Sequence, residues 1–222
     1  MTSEKRNFDN AATTWDENPG RVKTNRDIGD AILKQNILTP DMDVLDFGCG
    51  TGMLTVRLQP FVRSITGVDS SPGMLNVLND KITKLQLSNV KTMLVDIEKG
   101  QKLTGNYQLV LSSLTLHHIP EIKPVLAQFY QVIVPNGYLC VADLDLDDGR
   151  FHEDKTGVFH SGFDRAVMRK YFSEAGFDNI KDTTAATIIK PVLNHGTRQF
   201  TVFLMTGRKK VKQGYNLKII KS

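Results

Sequence analysis

Short, nearly unbroken apolar runs alternate along this chain with longer stretches in which apolar residues recur every three or four positions. The runs at 42–47, 64–69, 89–95, 107–111 and 138–144 predict strands. That continuity fits strands covered on both faces better than strands with one wet face. Between them, 52–59 reads as a short helix that Pro60 limits. Ser70-Ser71-Pro72 opens another, lined by Met74, Leu75, Val77 and Leu78, with Pro72 near the first turn, where its missing N–H does no harm. A third covers 121–133, with Val125, Leu126, Phe129, Val132 and Ile133 on its buried side. Ile28, Ala31, Ile32 and Gln35 predict a helix over 27–38, capped by Thr24 or Asn25 and closed by Thr39-Pro40. Residues 1–22 are polar apart from Phe8 and Trp15, and read as an arm or lid with little regular structure.

Strand-helix alternation of this kind implies parallel strands joined by helical crossovers. The last third changes character. A helix over 164–175 is closed by Gly176, and β-rich runs at 180–189 and 197–205 flank a loop of hairpin length. The expected fold is therefore α/β: a Rossmann-like, seven-stranded, mostly parallel sheet with helices on both faces and an antiparallel C-terminal edge pair. The expected divisions are an arm at 1–24, the domain at 25–207 and a basic tail at 208–222.

Composition narrows the class. With 40% hydrophobic and 23% charged residues in 222, the chain has the make-up of a soluble globular domain. No apolar run reaches the roughly 18–20 residues that span a bilayer, and the first residues lack a secretory core, so no membrane partner and a cytoplasmic location are expected. The net charge of +4 is local: Arg208, Lys209, Lys210, Lys212, Lys218 and Lys221 lie where there is no acid. Without them 22 basic residues face 24 acidic ones, so a nucleic-acid face is not expected on the domain. Cys49 and Cys140 have no metal-ligand spacing. Asp143, Asp145, Asp147 and Asp148 fail the calcium-loop pattern, which needs Gly sixth and Glu twelfth where Asp148 and Asp154 stand. No metal site is expected, and Asp143 is a candidate to face substrate.

A sheet of this kind binds ligands beyond the carboxyl ends of its strands. Strand one ends in Asp46 and a loop with Gly48, Gly50 and Gly52; the next two end in Asp69 and Asp96, and the fourth in Ser112-Ser113. Glycines there let a ligand approach the backbone, and the helix start offers free N–H groups. An acid after strand two can accept both hydroxyl protons of a ribose. The loop departs from the dinucleotide fingerprint G-x-G-x-x-G, because Met53 occupies its sixth place. Asp46 would also sit poorly beside a pyrophosphate and well beside an ammonium. Both differences point to a cationic nucleoside that bears an amino acid.

The segment Val44-Leu-Asp-Phe-Gly-Cys-Gly-Thr-Gly52 resembles the first motif of the class I S-adenosylmethionine-dependent methyltransferases. Gly67-Val-Asp69-Ser-Ser-Pro-Gly-Met74, Leu94-Val-Asp96-Ile97 and Tyr107 through His118 are similar to the family's later segments in order and spacing, over about residues 25–205. The resemblance implies an enzyme that transfers the methyl of S-adenosylmethionine and releases S-adenosylhomocysteine. It implies that Gly48, Cys49, Gly50 and Gly52 flank the methionine moiety with Asp46 near its ammonium. Asp69 would hold the ribose, Ser70 and Met74 would line an adenine face, Asp96 and Ile97 would bind the adenine edge, and Ser112 would lie beside the methyl.

The absence of an Asn/Asp-Pro-Pro-aromatic motif after strand four, where Ser112-Ser-Leu-Thr stands, favours a small-molecule acceptor over a nucleic-acid base. A protein or RNA acceptor docked by the tail, and a non-catalytic cofactor-binding member, are the alternatives. Candidate catalytic groups are His117 and His118, which follow strand four, and His160, since imidazole suits proton transfer near neutral pH. The sequence carries no signal for oligomeric state.

Overall fold

The computed structural model of the protein describes residues 6–193 and 195–210. Its strands are β1 (Asp43–Phe47), β2 (Ser64–Asp69), β3 (Val90–Leu94), β4 (Tyr107–Ser113), β5 (Ile133–Leu144), β6 (Phe177–Val192) and β7 (Gly196–Lys209). They form one sheet in the order β3-β2-β1-β4-β5-β7-β6. β1 pairs in parallel with both β2 and β4, so the strand order reverses beside β1, where sheets of this class open a crevice for ligands. β7 runs antiparallel between β5 and β6. The expected Rossmann-like α/β sheet with an antiparallel C-terminal edge pair is what forms.

Among the described residues, five α-helices cover the sheet: α1 (Pro19–Lys34), α2 (Met53–Leu58), α3 (Pro72–Lys84), α4 (Ile122–Val132) and α5 (Arg165–Ala175). Successive strand residues point to opposite faces, and the two cores sort accordingly. Leu45, Val110, Leu139 and Val141 join Phe129 of α4 and Phe172 of α5 in one cluster. Val44, Leu109, Leu111, Cys140 and Ala142 join Ile28 and Ile32 of α1 and Leu54 and Leu58 of α2 in the other. This two-sided burial explains why the central strands read as unbroken apolar runs.

Several boundaries differ from expectation; α1 ends at Lys34, short of residue 38, and β6 extends the expected 180–189 run at both ends. The helix expected from residue 27 begins at Pro19, so residues 19–24, read as part of the arm, are helical. Pro19 sits at the first helical position, the Asn18 side chain accepts the Arg21 N–H at 3.1 Å, and few apolar residues mark the opening turns. Residues Asp9–Glu17 of the arm form a 3-10 helix. β5 starts five residues before the expected strand, because the Pro135-Asn136-Gly137 turn is absorbed as an irregularity in the β4–β5 ladder, with Asn136 at φ +68°. Of the basic tail, Arg208 and Lys209 belong to β7, and residues 211–222 lie outside the described residues.

Candidate functional site

A cavity of about 760 Å³ opens at the carboxyl ends of the parallel strands, within the range of small-ligand and cofactor sites. One end is built by the loop after β1. Gly48 and Cys49 donate their N–H groups to the Val68 carbonyl at 2.7 and 3.0 Å, which folds the loop back over β2. At Gly48 (φ +71°) an added Cβ would lie 2.2 Å from the Thr115 hydroxyl; at Gly52 (φ +80°) it would lie 2.3 Å from a Leu78 methyl. These two glycines are therefore demanded by the protein's own packing, whatever the ligand. Gly50 has only the Met74 sulfur nearby, at 3.9 Å, and lines the cavity.

Asp69 joins the loop to β2. One carboxylate oxygen accepts the Gly50 N–H and the other the Ser71 N–H, both at 2.9 Å, which leaves lone pairs on each oxygen toward the cavity. Burial pushes its pKa up, against those N–H groups. Ser70, Met74, Asp96 and Ile97 continue the same wall. Met74 is held by the start of α3, where the Ser71 hydroxyl caps its N–H at 3.1 Å. Asp96 caps the following 3-10 turn through the Glu98 N–H at 3.1 Å and pairs with Lys99 at 3.5 Å.

Asp143 and four other residues singled out in the sequence do not line the cavity. Asp46 is fully buried beneath the loop with its carboxylate on the Thr55 hydroxyl at 2.5 Å, and burial lifts its pKa to about 6. Gly52 lies behind Leu78. Ser112 is buried within the sheet; the next residue, Ser113, lines the cavity, as strand alternation requires. His160 is turned away, with Nε2 at 2.9 Å from the Ile119 carbonyl and its ring against Phe163, and braces the loop. Cys49 lines the wall, but burial raises its thiol well above the ordinary value, so it is an inert neutral group.

The cavity also holds three imidazoles. Asp143, a candidate to face substrate, is instead fully buried in β5. Its carboxylate accepts the backbone N–H groups of Leu116 and Leu144 at 2.9 and 2.8 Å and lies 2.6 Å from Nδ1 of His117. Burial alone would raise its pKa; the His117 ring beside it more than reverses this and holds it below the usual value. Nδ1 of His118 lies 2.7 Å from the Gly157 carbonyl. His152, from the loop after β5, brings its ring centroid to 5.0 Å from that of His117 and 5.8 Å from that of His118. Burial, then the neighbouring His117, lowers His118 to about 4 and His152 to about 3, so both rings are neutral at pH 7. His152 was missed because only one acid run in the loop after β5 drew notice; applying the strand-end rule to β5 itself points to that loop.

One further feature escaped the sequence reading. Leu114 lines the cavity in a left-handed conformation (φ +52°), a strain a non-glycine residue keeps only where its surroundings hold it. The arm folds over the site. Asp16 accepts the Thr51 hydroxyl at 2.6 Å and pairs with Lys81, while Asp9 accepts the Ser71 hydroxyl and the Gly73 N–H at 2.5 and 2.7 Å. Phe8 and Trp15 pack edge to face at 5.9 Å, Arg21 stacks 3.9 Å over Trp15, and all three line the cavity. The remaining acids after β5 are held by salt bridges or turns: Asp145 grips Arg165 through two bonds of 2.7 Å, Asp148 pairs with Arg198, and Asp147 closes a turn at Gly149.

A family model described as a methyltransferase domain matches residues 38–184, roughly two-thirds of the chain, including β1 through α5. The chain belongs to this methyltransferase family. Its glycine loop, strand-end acids and sheet order are those of the class I, S-adenosylmethionine-dependent branch. Among similar proteins, an uncharacterised methyltransferase of Schizosaccharomyces pombe is 31% identical over 153 residues, which are 62% of this chain and 54% of that protein. The chain spans about half the length of the curated relatives it matches. The fold is shared with the YcgJ protein of Bacillus subtilis (TM-score 0.70, 14% identity, 83% of this chain and 98% of that one). It is shared too with phosphoethanolamine N-methyltransferase 2 of Haemonchus contortus in complex with S-adenosyl-L-methionine (TM-score 0.67, 14% identity, 82% and 52%). Among the described residues, no helix is long and apolar enough to cross a membrane.

Proposed function

We propose that this protein transfers the methyl group of S-adenosylmethionine to a small-molecule acceptor. The observation that carries the reading is the convergence of the glycine loop, Asp69 and Asp96 on a cavity that imidazoles also line. In this reading Asp69 accepts the ribose hydroxyls with the lone pairs that the Gly50 and Ser71 N–H groups leave, and those N–H groups fix its direction. Ser70 and Met74 flank the adenine, and Asp96 and Ile97 take its edge. Gly48, Cys49 and Gly50 border the methionine part. Asp46 and Gly52 act from beneath: Asp46 holds Thr55 and the underside of the loop, and Gly52 lets α3 close against it. Ser113, adjacent to Ser112, is the serine of the pair that lines the cavity.

Methyl transfer is an in-line displacement at a sulfonium-activated carbon, so positioning and exclusion of water supply much of the rate. The roof formed by Phe8, Trp15 and the loop that carries His152 favours an acceptor small enough to be enclosed. His117 and His118 line the part of the cavity that takes the acceptor, with Asp143 fixing the His117 ring; His160 supports their turn from behind. The phosphoethanolamine enzyme that shares the fold acts on a small acceptor, as its name states.

Calorimetry with S-adenosylmethionine and S-adenosylhomocysteine tests the donor half. Both should bind one per chain, and Asp69→Ala should weaken binding by about 1.5–3 kcal/mol, the value of hydrogen bonds to a charged group. Absence of binding by either compound would overturn the reading. The acceptor half is tested by following release of S-adenosylhomocysteine across a panel of small alcohols, thiols, amines and carbon acids.

A further inference from the structure

His117, His118 and His152 present one ring nitrogen each within 4.8 Å of one another, and all three line the cavity. We propose that these three histidines hold a single divalent transition-metal ion of the zinc class, with its remaining coordination positions open to the cavity.

The first support is the direction of the rings. A metal-binding histidine usually engages its second nitrogen with a carboxylate or carbonyl, which fixes the tautomer and turns the free nitrogen to the metal. His117 spends Nδ1 on Asp143 at 2.6 Å and His118 spends Nδ1 on the Gly157 carbonyl at 2.7 Å. In both, Nε2 is the nitrogen left over. His152 makes no hydrogen bond through either nitrogen among the described residues, although its ring is half-buried beside the other two.

The second support is the cost of the cluster without an ion. Three imidazoles with ring centroids 4.1, 5.0 and 5.8 Å apart repel one another if protonated and crowd their acceptor nitrogens together if neutral. An ion bonded at about 2.0–2.1 Å would relieve this by drawing the nitrogens to roughly 3.3 Å, a shift of about an ångström in side chains of which one lies on a surface loop. Three nitrogen ligands plus open positions is the pattern of catalytic rather than structural zinc sites.

The surrounding charges fit a site for a cation that carries an anionic ligand. Asp143 lies behind His117, and Glu153 and Asp154 line the same cavity. Arg6 and Lys190 also line it, and Lys190 is tied to the Phe151 carbonyl at 2.7 Å. Three neutral imidazoles leave the ion its full double charge, which draws an anionic fourth ligand, and the two cations balance that ligand. The acidic run after β5 contributes none of the three nitrogens, so sequence spacing alone gave no sign of this site.

The full-length protein, stripped with a chelator and dialysed, is titrated with Zn²⁺ against a chromophoric chelator, and separately with Co²⁺ followed by its visible absorption. Wild type should bind one equivalent. Asp143→Asn should weaken binding by about 10- to 100-fold, the usual cost of losing an outer partner, and His152→Ala by more than that. His195→Ala, in the β6–β7 hairpin, should bind as wild type does. Adding 2-mercaptoethanol should change the Co²⁺ spectrum if a position is open. S-adenosylhomocysteine affinity, measured on the same samples, reports folding and keeps the metal question separate from the donor question. The proposal is overturned if wild type takes up less than one equivalent, if His152→Ala binds as wild type does, or if the Co²⁺ spectrum ignores the added thiol.

Discussion

Asp46 gives the sharpest quantitative prediction. Its carboxylate is 1% exposed and keeps one side-chain partner, the Thr55 hydroxyl at 2.5 Å. Burial raises its pKa to about 6, the Thr55 bond opposes the rise, and the nearby Asp69 adds to it. In the unfolded chain the same group titrates near its ordinary value of about 3.9. Between those two values the folded state binds more protons than the unfolded state, so stability falls as pH increases. The contribution is fully present below about pH 4 and is lost as pH rises through about 6. A shift of about two units is worth about 3 kcal/mol at 1.36 kcal/mol per unit, and full burial leaves little solvent screening to discount. Asp46→Asn keeps an acceptor for Thr55 and removes the titration. Urea unfolding of both proteins at several pH values between about 4 and 7.5 gives the difference directly, since groups not coupled to Asp46 titrate alike in the two. The variant should gain about 3 kcal/mol on wild type across that range. A stability difference that stays flat with pH would refute the reasoning, because it would mean that the carboxylate reaches water or a cation that the fold does not place beside it.

Other substitutions probe the frame around the site. Gly52→Ala should lower stability by about 1–2 kcal/mol from left-handed backbone alone, and by more because its Cβ meets Leu78 at 2.3 Å; thermal unfolding reads this. Phe172→Ala removes a fully buried ring between α5 and the sheet and should cost about 3–5 kcal/mol in urea unfolding while leaving the stoichiometry of S-adenosylhomocysteine binding unchanged. Asp16→Ala breaks the link from the arm to Thr51 and Lys81 and should speed proteolytic cleavage within residues 6–18, with little change in overall unfolding; unchanged cleavage would show that Phe8 and Trp15 hold the arm without it.

The sheet was legible because its central strands are buried on both faces. Val44-Leu45, Leu109-Val110-Leu111 and Leu139-Cys140-Val141-Ala142 each send alternate residues into different cores, and no polar register could hide that. The donor end was legible for a related reason: strand ends are local in sequence, and Asp69 and Asp96 stand where their strands stop. Legibility failed where a residue answers to a distant partner. Gly48 and Gly52 were read as space for a ligand, yet Thr115 and Leu78, from other elements, are what exclude a side chain there. Asp143 was read as facing substrate, yet the turn after β4 had already claimed it through Leu116 and His117. The N-terminal helix reads from residue 27 in the sequence because its opening turns lack an apolar stripe, although Asn18 and Pro19 supply its cap and first position. The histidine cluster is the extreme case. His152 lies 34 residues beyond His118 in an unpatterned loop, and only the parallel pairing of β4 with β5, which sets their carboxyl ends side by side, brings it to the other two. A site assembled from strand ends is written in spacing, whereas one assembled across loops is written only in the fold; the glycine-loop wall of this cavity is of the first kind and the histidine wall of the second. It follows that relatives sharing the strand-end motifs can differ at the histidine wall without any change in those motifs, and that the residue to compare first among them is the one aligned with His152.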